Sequence, residues 1–199
     1  MPPRRGGYSD DMKKLILLAA VTILLLVAGC GESQTDIYLT DPVPKGMPEP
    51  VEPQDAVIED VEYTCTISIV CDALLGDGAD ELDPDKLELV PEDGVIFPAT
   101  EVVFYGGESV FNLLSRVCRQ NSIHMEFVDT PLYNSAYIEG IGNLYEFDAG
   151  EFSGWIYTVN GWQPNYGSSR YALHDGDVVV WSYALDVGDG QLGAETVAQ

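Results

Sequence analysis

Three cysteines and two histidines are the side chains that could support nucleophilic, redox or metal chemistry in the body of this sequence. They are Cys65, Cys71, Cys118, His124 and His174. Cys65 and Cys71 fall on one predicted strand about 20 Å apart, too far for a disulfide. We expect a disulfide between Cys71 and Cys118, and three small buried thiols are the alternative. No nucleophile motif surrounds either histidine, so no catalytic residue is predicted.

A cluster of aspartates is the candidate for metal chemistry. Its members are Asp77, Asp80, Asp83 and Asp85. Carboxylates are the ligands that Ca²⁺ prefers, but the spacing lacks the order of ligands, central glycine and final glutamate of an EF-hand. We therefore interpret the cluster as a solvated acidic loop and predict no metal site. Gly140-Ile141-Gly142 lacks the third glycine of a dinucleotide fingerprint, and we predict no bound cofactor.

Aromatic residues are concentrated near the end of the chain. They are Trp155, Tyr157, Trp162, Tyr166, Tyr171, Trp181 and Tyr183. Trp155 and Tyr157 share one face of a predicted strand, as do Trp181 and Tyr183, so these four are assigned to the core. Trp162, Asn165 and Tyr166 lie instead in a turn-rich stretch. They are the predicted ligand-binding residues, and packing of the loop onto the core is the alternative.

Composition excludes several classes of function. The chain has 199 residues, with 33 acidic and 9 basic residues and a formal net charge of -24. Such a charge repels nucleic acids and anionic lipid headgroups, so neither is an expected partner.

The beginning of the chain is typical of an export signal. Lys13 and Lys14 precede an apolar run over residues 15–27, which is too short to span a bilayer, and the stretch ends in Gly29-Cys30. This ending resembles the lipobox of bacterial lipoproteins, in which the cysteine receives a lipid. Cys30 is thus the predicted lipidation site, on the extracellular face of the cell membrane of a Gram-positive bacterium, and Met12 is an alternative start.

The organisation predicted from these patterns is a signal peptide over residues 1–30, an acidic proline-rich tether over 31–60, a domain over 61–190 and a flexible tail over 191–199.

Within the domain, residues 62–71 alternate as a strand, and residues 87–90 and 95–105 predict a strand pair. Residues 110–118 have helical spacing, with Ser109 as N-cap and Asn121 at the end. Further strands are predicted at 123–127, 155–159 and 178–183, with a tight turn at Asn160-Gly161. Residues 130–150 are predicted to form an irregular segment with one short hairpin. One helix on a sheet makes an α+β fold.

Several segments carry a family resemblance. The stretch from Gly154 to Gly161, then Pro164-Asn165-Tyr166-Gly167, and the stretch from Tyr171 to Asp177 resemble the C-terminal domain of transcobalamin and intrinsic factor. More closely, the chain is similar to the bacterial family DUF4430, over about residues 62–189. The resemblance implies a β-grasp fold of the soluble-ligand-binding type. In the eukaryotic carriers cobalamin lies between such a domain and a helical toroid, for which this chain has no room.

From residues and resemblance together, we expect a lipid-anchored extracellular binding module without catalysis, which binds a small soluble ligand such as cobalamin or another corrinoid. The alternative is a protein-interaction or adhesion module that pairs with a separate cell-surface protein.

Overall fold

The computed structural model describes residues 38–76 and 80–187. The predicted signal peptide, the lipidation site Cys30 and the tail over residues 191–199 lie outside this part of the chain. Within the described residues, no helix is long and apolar enough to cross a membrane.

Four strands form the first sheet. They are β1 (Glu62–Val70), β2 (Val95–Tyr105), β6 (Gly154–Val159) and β7 (Val178–Ala184), in the order β2-β1-β7-β6. β1 pairs antiparallel with β2 and parallel with β7, and β6 pairs antiparallel with β7. The period-two pattern predicted β1 correctly, since Cys65, Ile67 and Ile69 all lie buried on one face.

One helix, α1 (Val110–Gln120), packs against the core. The Ser109 hydroxyl accepts a hydrogen bond from the Asn112 amide, and the Asn112 side chain accepts one from the Ser109 amide, so the predicted N-cap is a reciprocal capping box. The buried face of the helix consists of Val110, Leu113, Leu114, Val117 and Cys118. Asn121 ends the helix, as predicted.

A second, smaller sheet contains β3 (Met125–Thr130), β4 (Ser135–Ile141) and β5 (Leu144–Tyr145). β4 pairs antiparallel with both neighbours and is mostly buried. The short hairpin predicted within residues 130–150 is present as β4 and β5, whereas the irregular conformation predicted for the rest was wrong for β4. The sequence of β4 does not alternate clearly, and the strand is stabilised by pairing and burial instead.

The prediction of a strand at residues 87–90 is wrong, because Pro84–Leu89 forms a 3₁₀ helix. The Asp83 side chain accepts a hydrogen bond from the Asp85 amide, and Pro84 stands in the first turn, where its missing N–H is not needed. These two local signals outweigh the apolar residues that follow.

The core lies between Cys65 and Tyr183 and joins both sheets to α1. Trp155, Tyr157, Trp181 and Tyr183 are each at most 7% exposed, so their assignment to the core is confirmed. The α+β fold with one packed helix is confirmed as well. A chain that begins at Gly31 keeps every buried apolar residue of the described structure.

Residues 38–60, which we name the strap, differ from the expected tether. They lie against the domain instead of apart from it: the Leu39 amide donates to the Leu132 carbonyl, the Val51 amide to the Arg170 carbonyl and the Glu59 amide to the Gly106 carbonyl. The proline-rich composition predicted an extended backbone, whereas the strap turns at residues 45–46 and 53–55. Its docking was not predicted, because the partners of the strap lie some 50 to 120 residues further along the chain.

Candidate ligand-binding surfaces

A cluster of aromatic rings forms one candidate surface, which we name the aromatic loop (residues 162–171). It follows the Asn160-Gly161 turn, whose φ angles of 53° and 78° are both positive, as a two-residue turn requires. The Trp162 ring lies 6.0 Å from that of Tyr166, which stacks on Tyr171 at 6.2 Å. Trp162 is half-buried, whereas Tyr166 and Tyr171 are buried.

The strap covers this loop through its backbone carbonyl groups. The Asn165 amide nitrogen donates to the carbonyl oxygens of Asp41 and Pro42, each at 3.1 Å. The Tyr166 hydroxyl donates to the Pro48 carbonyl at 2.7 Å. Two of the three predicted ligand-binding residues thus contact the chain's own proline-rich segment. Trp162 does not line the cavity that lies between β4, β6 and this loop.

Arg170 is the residue of this surface that sequence reasoning missed. Its side chain is 1% exposed, and its guanidinium group donates to the Thr40 hydroxyl, the Tyr133 carbonyl and the Glu52 carboxylate. Glu52 also accepts a hydrogen bond from the Asn134 amide at 2.5 Å. A lone base among tyrosines and serines, in a chain with 9 basic residues against 33 acidic ones, was the available signal.

A cavity of about 90 Å³ lies between β4, β6 and the aromatic loop. Three of its lining residues each have one buried polar atom without a hydrogen-bond partner: Asn165 Oδ1, Arg170 Nε and Trp181 Nε1. Such a volume holds a few water molecules. It is far too small for a corrinoid, whose macrocycle alone is many times larger.

A larger groove of about 570 Å³ adjoins this cavity and shares Thr130, Ser135 and Ala136 with it, and we name it the helix groove. It is bounded by the start of α1, the end of β3, the start of β4 and the last part of the strap. Its lining residues are Pro53, Ala56, Ile58, Ser109, Phe111, Asn112, Asp129, Thr130, Pro131, Asn134, Ser135, Ala136 and Ser169. The groove has the size of small-molecule pockets and combines apolar walls with polar groups. The sequence did not indicate it, because its walls come from four separate segments.

The cysteines are free thiols in the described residues. The predicted disulfide between Cys71 and Cys118 is therefore absent from the structure, and the alternative of three small buried side chains is the arrangement found. Burial raises the thiol pKa to about 11 for Cys65 and Cys71 and to about 12 for Cys118. Such thiols stay protonated at neutral pH and are poor nucleophiles.

Both histidines are exposed, whereas the three cysteine thiols are buried. His124 Nε2 is 3.0 Å from a Glu126 carboxylate oxygen and 2.9 Å from the Tyr145 hydroxyl. His174 Nδ1 lies 3.7 Å from the Asp177 carboxylate. Neither ring has a hydrogen bond to a thiol in the described part of the chain, and the hydroxyl that His124 contacts belongs to Tyr145 rather than to a serine or threonine.

The acidic loop is described in part, since Asp77 lies outside the described residues. Asp83 uses its carboxylate to cap the 3₁₀ helix. No group of three or more histidine, cysteine or acidic residues is arranged to hold a metal ion within residues 38–76 and 80–187.

Residues 107–184 match the model of the family described as domain of unknown function DUF4430, which confirms the resemblance over this part of the chain. No curated protein sequence matches the chain. Solved structures with a similar arrangement include haptocorrin in complex with Cbi, at 11% sequence identity and a TM-score of 0.47. The alignment covers 65% of this chain and 26% of haptocorrin, so this chain matches about a quarter of that protein's length. Another is a protein of Ruminococcus gnavus ATCC 29149 described as a proposed metal-binding protein, at 16% identity and a TM-score of 0.35, with 61% of this chain and 96% of that chain covered.

Proposed function

We propose that this chain is a non-catalytic binding module, attached by a lipid on Cys30 to the extracellular face of a Gram-positive cell membrane. Its ligand is a small soluble molecule, and a corrinoid such as cobalamin is the first candidate. The helix groove is the observation that carries this proposal, because its volume and mixed lining suit a small ligand.

The helix groove supports a ligand held on one side. Phe111 supplies an aromatic wall, and its ring meets the Phe127 ring edge-on at 4.8 Å between centroids. Asp129 adds an exposed carboxylate at the end of β3. A corrinoid is larger than the groove and would be covered on one face, so a second protein could cover the other.

The absence of catalysis is supported by the thiols and histidines. The three cysteines are buried and hold their protons, and the two histidines lie at exposed positions with acidic neighbours. A reaction would require a group poised to exchange a proton or attack a substrate.

Isothermal titration of the chain from Gly31 to Gln199 with cobinamide and cobalamin tests this function. Ala56→Trp places a large ring in the helix groove from the strap, outside the core. Val57→Trp is the matched control, because Val57 is 74% exposed and does not line the groove. We expect micromolar binding that Ala56→Trp weakens at least tenfold and Val57→Trp leaves unchanged. An equal effect of both variants, or no heat from either corrinoid, would contradict the proposed ligand.

A protein partner is the second candidate, and edge strand β3 favours it. Among the described strands, β3 pairs with β4 alone, and Phe127 and Val128 are 44% and 38% exposed. Such an edge can accept a strand from another chain. A photo-crosslinking residue at position 128 would then capture one defined partner on intact cells. The same probe at the exposed position 178 of β7 would not, and equal labelling from both sites would contradict this candidate.

A further inference from the structure

We propose that the aromatic loop is a recognition surface for a proline-rich peptide that carries a carboxylate, and that the strap occupies this surface as a replaceable ligand. The occupant from outside that fits the same contacts is the strap of a second copy of this chain. The aromatic loop adjoins the helix groove, whose walls include Pro53, Ala56 and Ile58 of the strap, but the inference does not depend on the proposed corrinoid.

The aromatic loop contacts the strap through backbone carbonyl groups. Asn165 and Tyr166 donate hydrogen bonds to the carbonyl oxygens of Asp41, Pro42 and Pro48. A proline has no N–H, and its carbonyl group stays available outside regular secondary structure, so amide and hydroxyl donors suit such a segment. Aromatic-lined grooves of other domains also bind proline-rich peptides.

A carboxylate of the strap meets the buried guanidinium group of this surface. Arg170 is 1% exposed while the strap is in place, and Glu52 supplies the carboxylate that meets its guanidinium group. A buried guanidinium without a carboxylate is strongly unfavourable. The surface therefore selects an acidic side chain at this point of the peptide, while the carbonyl contacts accept many sequences.

The strap lies on the domain without forming part of its interior. None of its residues, all of which the structure describes, is buried. Val43 is half-buried and packs on the core. The buried apolar residues of the core lie between Cys65 and Tyr183, and none of them belongs to the strap. Departure of the strap would expose Arg170 to water, which would then solvate the guanidinium group.

The test uses a fluorescent synthetic peptide of residues 38–54 and the chain from Gly31 to Gln199. Glu52→Ala in the chain weakens its own strap and leaves the aromatic loop intact. We expect the peptide to bind this variant, and to bind the unchanged chain at least about tenfold more weakly, because the attached strap competes at a millimolar effective concentration. A peptide with alanine in place of Glu52 should bind roughly tenfold to a hundredfold more weakly, the usual effect of losing a hydrogen bond to a charged group.

A second pair of variants, made in the Glu52→Ala chain, separates recognition from stability. Tyr166→Phe removes the hydroxyl that donates to the Pro48 carbonyl and keeps the ring. Tyr157→Phe is the matched control, because its hydroxyl donates at 2.8 Å to the Tyr166 carbonyl rather than to the strap. We expect peptide affinity to fall about fivefold for Tyr166→Phe and to stay the same for Tyr157→Phe.

Failure of the peptide to bind the folded Glu52→Ala chain, or equal binding of the peptide without the carboxylate, would overturn the proposal. If Glu52→Ala does not fold, hydrogen exchange of the unchanged chain decides. The Leu39 and Val51 amides, which bond to Leu132 and Arg170, should exchange much faster than the Thr66 amide of β1. Exchange of all three at the same slow rate would make the strap a fixed part of the fold and overturn the proposal.

Discussion

Replacement of Gly167 by alanine tests how closely the aromatic loop lies on β4. A Cβ atom at this position would stand 1.7 Å from the Ser135 hydroxyl oxygen and 2.4 Å from the Ser135 Cβ. Gly167 has φ of -69° and ψ of 151°, which alanine adopts without strain. The conflict is therefore purely between side chains, and Ser135 has little space to move because it is 8% exposed and bonded to the Ser169 hydroxyl at 2.9 Å.

The expected loss of stability follows from these contacts. Overpacking of a close-packed site costs about 1–3 kcal/mol, and displacement of the Ser135 hydroxyl adds about 1 kcal/mol for its hydrogen bond. We expect Gly167→Ala to lower the free energy of unfolding by about 2–4 kcal/mol. The corresponding decrease in Tm is roughly 4–16 °C for a domain of this size.

Ser135→Gly provides the partner for a double-mutant cycle, because it removes both atoms that the new methyl group would meet. The next atom, the Ala136 carbonyl oxygen, is 3.8 Å away, an ordinary contact. In the Ser135→Gly chain, Gly167→Ala should therefore change the free energy of unfolding by less than about 0.5 kcal/mol, which gives a coupling energy of about 1.5–4 kcal/mol.

Urea unfolding followed by tryptophan fluorescence measures all four corners of the cycle. Gly154→Ala in β6 is the matched control, since its Cβ would meet Val187 Cγ1 at 3.4 Å and should cost little. An equal effect of Gly167→Ala with and without Ser135, or a loss no larger than that of Gly154→Ala, would refute the placement of the loop on β4.

Three further predictions concern the anchor, the thiols and the hairpin turn. Cys30→Ser should abolish incorporation of labelled fatty acid and release the protein into the medium; retention in the membrane fraction would contradict lipidation at this residue. Cys65, Cys71 and Cys118 have pKa values of about 11, 11 and 12 in the fold, against 9.0 for an unperturbed thiol, so the unfolded chain loses these protons first. The free energy of unfolding should therefore fall between pH 9 and 11, by at most about 1.4 kcal/mol per pH unit for each thiol, and a variant with alanine at all three positions should show a smaller slope in urea titrations. Asn160→Ala should cost about 2 kcal/mol, because it puts alanine at a positive φ and removes two side-chain hydrogen bonds; an unchanged urea midpoint would contradict this role of the turn.

Local signals predicted most of the elements that bound the candidate sites. Alternation identified β1, helical spacing with Ser109 identified α1, and Asn160-Gly161 identified the turn before the aromatic loop. Each of these depends on interactions between residues close in sequence, which is why a single sequence reveals them.

The docking of the strap and the helix groove could not be predicted in this way. Arg170 meets Glu52 across 118 residues, and Tyr166 meets Pro48 across the same separation. The walls of the helix groove come from segments between Pro53 and Ser169. Nothing in the period or composition of either segment encodes such pairings, so proline-rich sequence alone suggested a free tether.

Chemical-shift mapping of the ¹⁵N-labelled chain from Gly31 to Gln199 with cobinamide tests the central proposal, a small-ligand site in the helix groove, most directly. We expect the backbone amides that shift to cluster on residues 109–112, 129–130 and 134–136. Titration without shifts, or shifts confined to residues away from this groove, would contradict it.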